Sequence, residues 1–307
     1  MASALIRGMA TSAAESAIKH VTIIGGGLMG SGIAQVAATA GYDVTIVEVN
    51  NQLVEQAKNS IKNSLGRVAK KQFKDDGDKQ TKFVTDTFKR INGSSDLQGV
   101  VKGTDLVIEA IVENIGIKHK LFESIDKVAP NHTIFTSNTS SLSIKEIASV
   151  TDRKDRFGGL HFFNPVPVMK LLEIIRTTDT SDDTYNAIRN FGEKIGKSCI
   201  VCKDTPGFVV NRLLVPYMAE SVRLLERGDA SARDIDTAMK LGAGYPMGPI
   251  ELSDYVGLDT TYNILKGWHE REPENPLYKP IPLLEKLVKD GKFGVKSGEG
   301  FYKYNKK

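Results

Sequence analysis

The sequence predicts an α/β protein with a doubly wound, mostly parallel sheet and a second, all-helical domain. Between about residues 20 and 203, short β-branched runs of strand length alternate with stretches of helical length. This alternation is typical of a parallel sheet covered by helices. From residue 204 onward, apart from a glycine-rich segment at the carboxyl end, only helical patterns remain.

A glycine motif joins the first predicted strand to its helix. The apolar run His20–Ile24 predicts a buried strand, and Gly25–Gly30 follows at once with the spacing G-x-G-x-x-G. A small-residue helix candidate then ends at Gly41, and a second apolar run, Val44–Val47, is followed by the acid Glu48. Strand, turn, helix, strand and acid have the spacing of a Rossmann-like dinucleotide-binding unit.

Each part of this unit has a physical role in binding a dinucleotide. Gly25 allows a tight turn, Gly27 lets the backbone approach a pyrophosphate, and Gly30 lets the helix pack closely on the strand. The helix N-terminus offers N–H groups to the phosphates. Glu48 can accept hydrogen bonds from the ribose and would repel a 2′-phosphate, so we predict NAD rather than NADP. The predicted contacts are Gly25, Gly26, Gly27, Leu28, Met29, Gly30 and Glu48.

Length and charge limit the class of protein. The 307 residues suffice for two domains. The net charge of +4 is too mild to indicate a nucleic-acid partner, and no stretch approaches the roughly 20 apolar residues that span a membrane. We predict a dinucleotide-binding domain over 20–203 and a helical domain over 204–307. The predicted helices of the second domain are Phe208–Arg227, Ala232–Lys240, Ile250–Trp268 and Pro282–Asp290.

Residues 1–19 have the composition of a targeting segment. They contain Arg7, several serines and alanines, and no acid before Glu15. This composition predicts a short mitochondrial presequence, and a disordered cytosolic tail is the alternative.

The two cysteines, Cys199 and Cys202, have the spacing C-x-x-C. Their flanks predict a strand, and residues three apart on a strand point to opposite faces. No second Cys or His pair in the sequence completes a zinc site. We therefore predict two reduced thiols and no metal, with a redox pair as the alternative.

Polar side chains stand at the carboxyl ends of the predicted strands. Glu113 ends a buried run over Asp105–Val112, Ser140 lies in a polar turn after another strand, and Asn164 follows a third. Ligands of doubly wound sheets bind beyond these ends. These side chains, with Glu48 and His161, could therefore converge.

A histidine and a glutamate stand on two predicted strands joined by a proline-rich turn. His161 lies on the strand over 157–163 and Glu173 on the strand over 171–175, so the turn can place them side by side. A buried carboxylate on one ring nitrogen fixes the tautomer and stabilises the imidazolium. The pattern indicates a general base with its orienting partner, and a satisfied internal ion pair is the alternative.

Residues 51–90 form a basic helical insertion between strands. Helix candidates span Gln52–Lys74 and Thr81–Arg90, with the acidic run Asp75–Asp78 between them. One side of the first candidate carries cations, which indicates either a solvated face or a site for an anion. These cations are Lys58, Lys62, Arg67, Lys70, Lys71 and Lys74.

Three further motifs resemble a known family. They are Gly159–Pro167 followed by Glu173, Asp204–Phe208 followed by Asn211 and Arg212, and Gly242–Pro249. Together with the glycine unit they resemble the short-chain L-3-hydroxyacyl-CoA dehydrogenases, in particular the mitochondrial type, over nearly the whole chain. Some members have Asp where this chain has Glu48.

The resemblance implies that the 3-hydroxyl of an acyl-CoA is oxidised to a 3-keto group in fatty acid β-oxidation, with NAD accepting the hydride. It implies a location in the mitochondrial matrix and a homodimer formed through the helical domain. The implied catalytic residues are His161, Glu173, Ser140 and Asn211. The implied NAD contacts outside the glycine loop are Glu113, Lys118, Ser140, Asn164 and Lys296, and those to coenzyme A are Ser64, Lys71 and Ser140.

Two alternatives belong to other classes of function. A catalytically silent structural relative would not need both His161 and Glu173, and the sequence retains both. A cofactor-sensing binding protein would not need the complete helical domain after residue 204.

Overall fold

The computed structural model describes residues 18–304, so the predicted presequence lies almost wholly outside the described residues. The chain divides into two compact units, Met1–Asp204 and Thr205–Lys307. In the described part, no helix is both long enough and apolar enough to cross a membrane.

Among the described residues of the first unit, eight strands form one sheet with the order β3-β2-β1-β4-β5-β6-β7-β8. All neighbouring strands are parallel except β6 and β7, which are antiparallel. The predicted doubly wound, mostly parallel sheet is therefore confirmed. The strands are β1 His20–Ile24, β2 Asp43–Val47, β3 Ile91–Ser94, β4 Leu106–Glu109, β5 Ile134–Ser137, β6 Phe157–Phe162, β7 Leu171–Arg176 and β8 Ser198–Lys203.

In the described part of the first unit, seven α-helices accompany the sheet, and most begin at a side chain that caps the helix. Asn50, Asn114, Ser143 and Ser181 each accept a hydrogen bond from a backbone N–H of the first turn. The helices are α1 Leu28–Thr39, α2 Asn51–Phe73, α3 Gly77–Phe88, α4 Leu97–Val101, α5 Ile115–Asp126, α6 Ile144–Ala148 and α7 Asp182–Lys194.

The core of this unit lies on the faces of the sheet. Ile23, Val44 and Leu106 on the strands are fully buried, and Ile33 on α1 and Leu65 on α2 are buried against them. Burying such a side chain contributes roughly 1.5–3 kcal/mol each to stability. The apolar strands and the apolar stripes of the helices thus fix where the strand ends lie.

Some predicted boundaries are wrong for local reasons. β4 ends at Glu109 rather than at Val112, because the Glu109 side chain accepts the Ile111 N–H at 2.7 Å and replaces the ladder with a local bond. α3 begins at Gly77 rather than at Thr81, because Asp76 caps it by accepting from Lys79 N. β3 carries one apolar residue among four, and α4 is only five residues long, so neither shows a periodic pattern that predicts it.

The second unit is all-helical, as predicted. The predicted helix over Ile250–Trp268 is divided at Gly257, whose φ of 105° ends one helix and begins the next. Trp268 and Tyr278 pack edge to face in the core, with ring centroids 5.2 Å apart. The helices are α8 Val210–Glu226, α9 Ala232–Gly242, α10 Pro249–Val256, α11 Leu258–Arg271 and α12 Pro282–Lys289.

The close packing of α1 on β1 gives a first testable prediction. A Cβ at Gly30 would lie 1.8 Å from the carbonyl oxygen of Gly25 and 3.2 Å from Cγ2 of Ile23. Gly30→Ala should therefore lower the free energy of unfolding by roughly 1–3 kcal/mol, the usual range for overpacking. Denaturant unfolding followed by circular dichroism measures the change.

Gly66→Ala is the matched control within α2. Within residues 18–304, its added Cβ meets no atom within 4 Å beyond its own helix and chain neighbours. It should raise stability by about 0.5–1 kcal/mol, because alanine restricts the unfolded chain more than glycine. Equal losses in the two variants would contradict the contact at Gly30.

Candidate active site

The turn between β1 and α1 has the shape of a phosphate cradle. Gly25 has a φ of 99°, which permits the sharp turn. A Cβ at Gly27 would meet no described atom within 4 Å beyond its chain neighbours, so the space in front of the α1 N-terminus is open. Leu28 is 73% exposed beside this space. The residues present therefore fit a dinucleotide pyrophosphate at the helix N-terminus.

Glu48 contacts the glycine turn directly. Its carboxylate accepts the Gly26 N–H at 2.6 Å and the Val49 N–H at 3.1 Å. The acid at the end of β2 thus supports the turn in addition to the ribose-binding role predicted for it. An alanine at this position would remove both the negative charge and the support of the turn.

The antiparallel pair β6 and β7 places His161 directly opposite Glu173. His161 Nδ1 lies 2.7 Å from Glu173 Oε2, and the side chains are 4% and 0% exposed. With the Nδ1 proton directed at the carboxylate, Nε2 carries the lone pair that can accept a proton. The structure therefore contains the predicted side-by-side pair.

The turn after β5 brings Ser140 to the other side of the imidazole. Ser140 Oγ lies 3.1 Å from His161 Nε2. Asn138 ties the same turn to β6, because its side-chain oxygen accepts the Phe162 N–H at 2.8 Å. Serine, histidine and glutamate thus form one line of hydrogen-bonding groups across three strands.

Glu113 accepts hydrogen bonds from the turn that carries Ser140. Its Oε1 accepts from Thr139 Oγ1 at 2.5 Å and from the N–H groups of Ser140 and Ser141 at 3.0 and 3.2 Å. Burial raises the pKa of Glu113, but the Thr139 hydroxyl, the Lys118 charge, the Ser140 N–H and the Ser141 hydroxyl outweigh burial and hold the pKa below its ordinary value. Glu113 is therefore ionised at neutral pH.

Lys118 connects Glu113 to a further acid that sequence reasoning did not select. The Lys118 ammonium is 1% exposed and lies 2.6 Å from Glu109 Oε1 and 3.3 Å from Glu113 Oε2. Glu109 is fully buried at the end of β4. The only sequence signal for it was an acid inside an otherwise apolar run.

The remaining predicted site residues lie on other segments of the chain. Asn164 is exposed after β6, and Asn211 is half-buried in the first turn of α8 in the second unit. In that unit Lys296 Nζ pairs with Asp259 Oδ1 at 2.5 Å. Ser64 and Lys71 lie seven residues apart on α2, which is two helical turns along one side.

Several cations on the basic side of α2 have no acidic partner among the residues that the structure describes. Lys58, Lys79 and Lys82 of the insertion pair with acids on their own helices or caps. Lys71 is exposed and forms no ion pair with any residue between 18 and 304. Its charge is therefore available to an anionic ligand.

The cysteines on β8 are both free thiols. Burial raises the pKa of Cys199 to about 11 and that of Cys202 to about 12, so both stay protonated at neutral pH. Among the described residues, no group of three or more His, Cys, Asp or Glu side chains could hold a metal ion.

Comparison with known proteins places the chain in a family. Residues 20–205 match the family model described as 3-hydroxyacyl-CoA dehydrogenase, NAD binding domain, and residues 207–304 match its C-terminal domain. The chain is 59% identical over 293 residues to the mitochondrial hydroxyacyl-coenzyme A dehydrogenase of Homo sapiens, covering 95% of this chain and 93% of the relative.

Further relatives agree over equally long stretches. A probable 3-hydroxyacyl-CoA dehydrogenase of Caenorhabditis elegans is 58% identical, with 98% of this chain and 97% of the relative covered. The crystal structure of (S)-3-hydroxybutyryl-CoA dehydrogenase from Ralstonia eutropha superposes with a TM-score of 0.89 at 41% identity, covering 94% of this chain and all of the other. The chain belongs to the 3-hydroxyacyl-CoA dehydrogenase family, and its sheet-containing unit is the NAD-binding domain of that family.

Proposed function

We propose that the protein oxidises the 3-hydroxyl group of an L-3-hydroxyacyl-CoA to a 3-keto group in fatty acid β-oxidation. The observation that carries the proposal is the buried pair of His161 and Glu173, with Ser140 Oγ at His161 Nε2. This pair lies on the same sheet as a glycine turn that fits a dinucleotide. A base and a hydride acceptor are the two components that alcohol oxidation needs.

The glycine turn, the α1 N-terminus and Glu48 would hold NAD, as would the residues implied by the family resemblance. Those residues are Glu113, Lys118, Ser140, Asn164 and Lys296. When bound, NAD supplies the nicotinamide ring that accepts a hydride. Glu48 and Glu113 bring negative charge to the carboxyl ends of β2 and β4. A 2′-phosphate near Glu48 would be repelled, which favours NAD over NADP.

His161 would act as the general base on the substrate hydroxyl. Its Nε2 takes the hydroxyl proton while the hydrogen on carbon 3 leaves with its electron pair and the carbon–oxygen double bond forms. The Glu173 carboxylate at Nδ1 keeps the ring in the reactive tautomer and stabilises the imidazolium that results. We propose that Ser140 and Asn211 hold the substrate oxygen.

Coenzyme A would be bound in part by the basic side of α2. Lys71 has no acidic partner among residues 18–304, and Ser64 lies two turns earlier on the same helix. The 3′-phosphate of coenzyme A is an anion that such a pair can bind, with the lysine supplying the charge and the serine a hydrogen bond.

The relatives support a cellular location, and the family resemblance implies an assembly. The human relative carries a mitochondrial name, which supports a mitochondrial location for this chain. We propose that residues 1–19 are the presequence, that the enzyme works in the matrix, and that two copies associate through the helical unit.

An absorbance assay tests the reaction directly. Purified protein should oxidise NADH with acetoacetyl-CoA, the reverse of the proposed reaction, and should do so much faster than it oxidises NADPH. Absence of turnover by a folded protein that binds NADH would overturn the proposal.

His161→Gln should lower kcat by roughly 10²–10⁴, the usual contribution of a positioned general base. Binding of NADH should be nearly unchanged, because the glutamine replaces the base and leaves the glycine turn intact. Steady-state rates and NADH fluorescence titration give the two quantities. A variant that kept its full rate would exclude His161 as the base.

Glu173→Gln should lower kcat, because the imidazolium formed during the reaction loses its charged partner at Nδ1 and the ring loses the acceptor that keeps it in the reactive tautomer. Steady-state rates at saturating NADH and acetoacetyl-CoA, expressed per folded enzyme, measure the loss. A folded variant that kept its full rate would contradict the orienting role.

Lys71→Ala should raise KM for acetoacetyl-CoA by roughly threefold to tenfold, since an exposed charge contact contributes about 1 kcal/mol. The dependence of KM on salt should weaken as well. Lys82→Ala is the control, because Lys82 already pairs with Asp86. A pantetheine thioester that lacks the nucleotide should react equally with both variants. Equal losses on the two substrates would contradict the phosphate contact.

A further inference from the structure

Glu109 is a fully buried carboxylate that receives three hydrogen bonds. Its Oε1 accepts from Lys118 Nζ at 2.6 Å and from Ile111 N at 2.7 Å, and its Oε2 accepts from Ser137 Oγ at 2.6 Å. The carboxylates of Glu109 and Glu113 share one ammonium, that of the buried Lys118. Nothing in the roles proposed above requires Glu109.

Stability alone is a poor explanation for this arrangement. The cost of removing a charge from water generally equals or exceeds what its ion pair returns, and apolar residues of the same volume often replace such pairs without loss. A buried charge network is therefore better explained by what it fixes in place. Here each carboxylate oxygen of Glu109 is connected by hydrogen bonds or an ion pair to the turn that carries Ser140.

The first connection passes through the lysine. Lys118 bridges Glu109 Oε1 to Glu113 Oε2, and Glu113 Oε1 accepts the N–H groups of Ser140 and Ser141. Glu113 is therefore positioned at the turn in part by the Lys118 ammonium, and Glu109 holds that ammonium in place.

The second connection passes through the end of β5. Ser137 Oγ donates to Glu109 Oε2 and accepts the Thr139 N–H at 3.3 Å. The carbonyl of Glu109 also accepts the Asn138 N–H at 2.8 Å. The three residues before Ser140 are therefore tied to Glu109, by one side-chain and one main-chain route.

We propose that Glu109 is a positioning residue of the dehydrogenase reaction: it fixes the turn that presents the Ser140 hydroxyl to His161 Nε2. The inference rests on the proposed roles of His161 and Ser140. Glu109→Gln would leave Lys118 with Glu113 as its only carboxylate. The ammonium would then draw Glu113 away from the turn, and Ser140 would lose its fixed distance to the imidazole.

A double-mutant cycle with Ser140→Ala tests this action through Ser140. Glu109→Gln alone should lower kcat roughly tenfold at saturating NADH and acetoacetyl-CoA, and in the Ser140→Ala background it should lower kcat less than about twofold, because residues of one network do not act additively. Rates are expressed per folded enzyme, with folding followed by circular dichroism. If the double variant instead lost kcat by the product of the two single losses, the proposal would be overturned, whether or not the affinity for NADH also falls.

Ser137→Ala provides the same cycle if Glu109→Gln does not fold. It removes the donor to Glu109 Oε2 and leaves the carboxylate paired with Lys118. Its effect on kcat should also nearly vanish in the Ser140→Ala background, and an undiminished effect there would overturn the proposal.

His161→Gln distinguishes failure of the proposed function from failure of the role of Glu109. Full activity in that variant would refute the proposed base, whereas a large loss together with additive cycles would refute only the role of Glu109.

Discussion

The antiparallel pairing of β6 with β7 is the constraint on which the candidate site depends. In an otherwise parallel sheet, this one reversal sets His161 opposite Glu173 in register, so that two residues twelve positions apart meet with both side chains buried. A shift of one residue in the pairing of these strands would place the two side chains on opposite faces of the sheet. Because the sheet fixes the register, the Glu173 carboxylate is held where it can orient the imidazole.

Acidic side chains near the strand ends accept hydrogen bonds from the backbone of neighbouring turns. Glu48 accepts the N–H of Gly26 in the glycine turn, and Glu113 accepts N–H groups of the turn that carries Ser140. Turn N–H groups need acceptors, and a carboxylate supplies a strong one. Two further acids in this region are fully buried. Glu109 is joined to Glu113 through Lys118, and Glu173 contacts His161 directly.

The second unit uses buried carboxylates in the same way. Asp254 accepts the N–H groups of Phe301 and Tyr302 and the hydroxyl of Tyr304, which fastens the glycine-rich carboxyl-terminal segment to α10. Burial raises the pKa of Asp254 although these donors oppose it. The segment fastened in this way carries Lys296, one of the residues implied for NAD binding.

The sequence by itself determined the features that depend on neighbours along the chain. The glycine turn, its helix and Glu48 are local, so their spacing was sufficient to predict a dinucleotide-binding unit, and the proline-rich turn brought His161 near Glu173. Only the tertiary structure decided the role of Glu109, because its partner Ser137 lies 28 residues away on the next strand. A charged residue in an apolar run has no assigned role until the fold shows which donors it meets, since pairing across parallel strands joins residues that no local pattern connects.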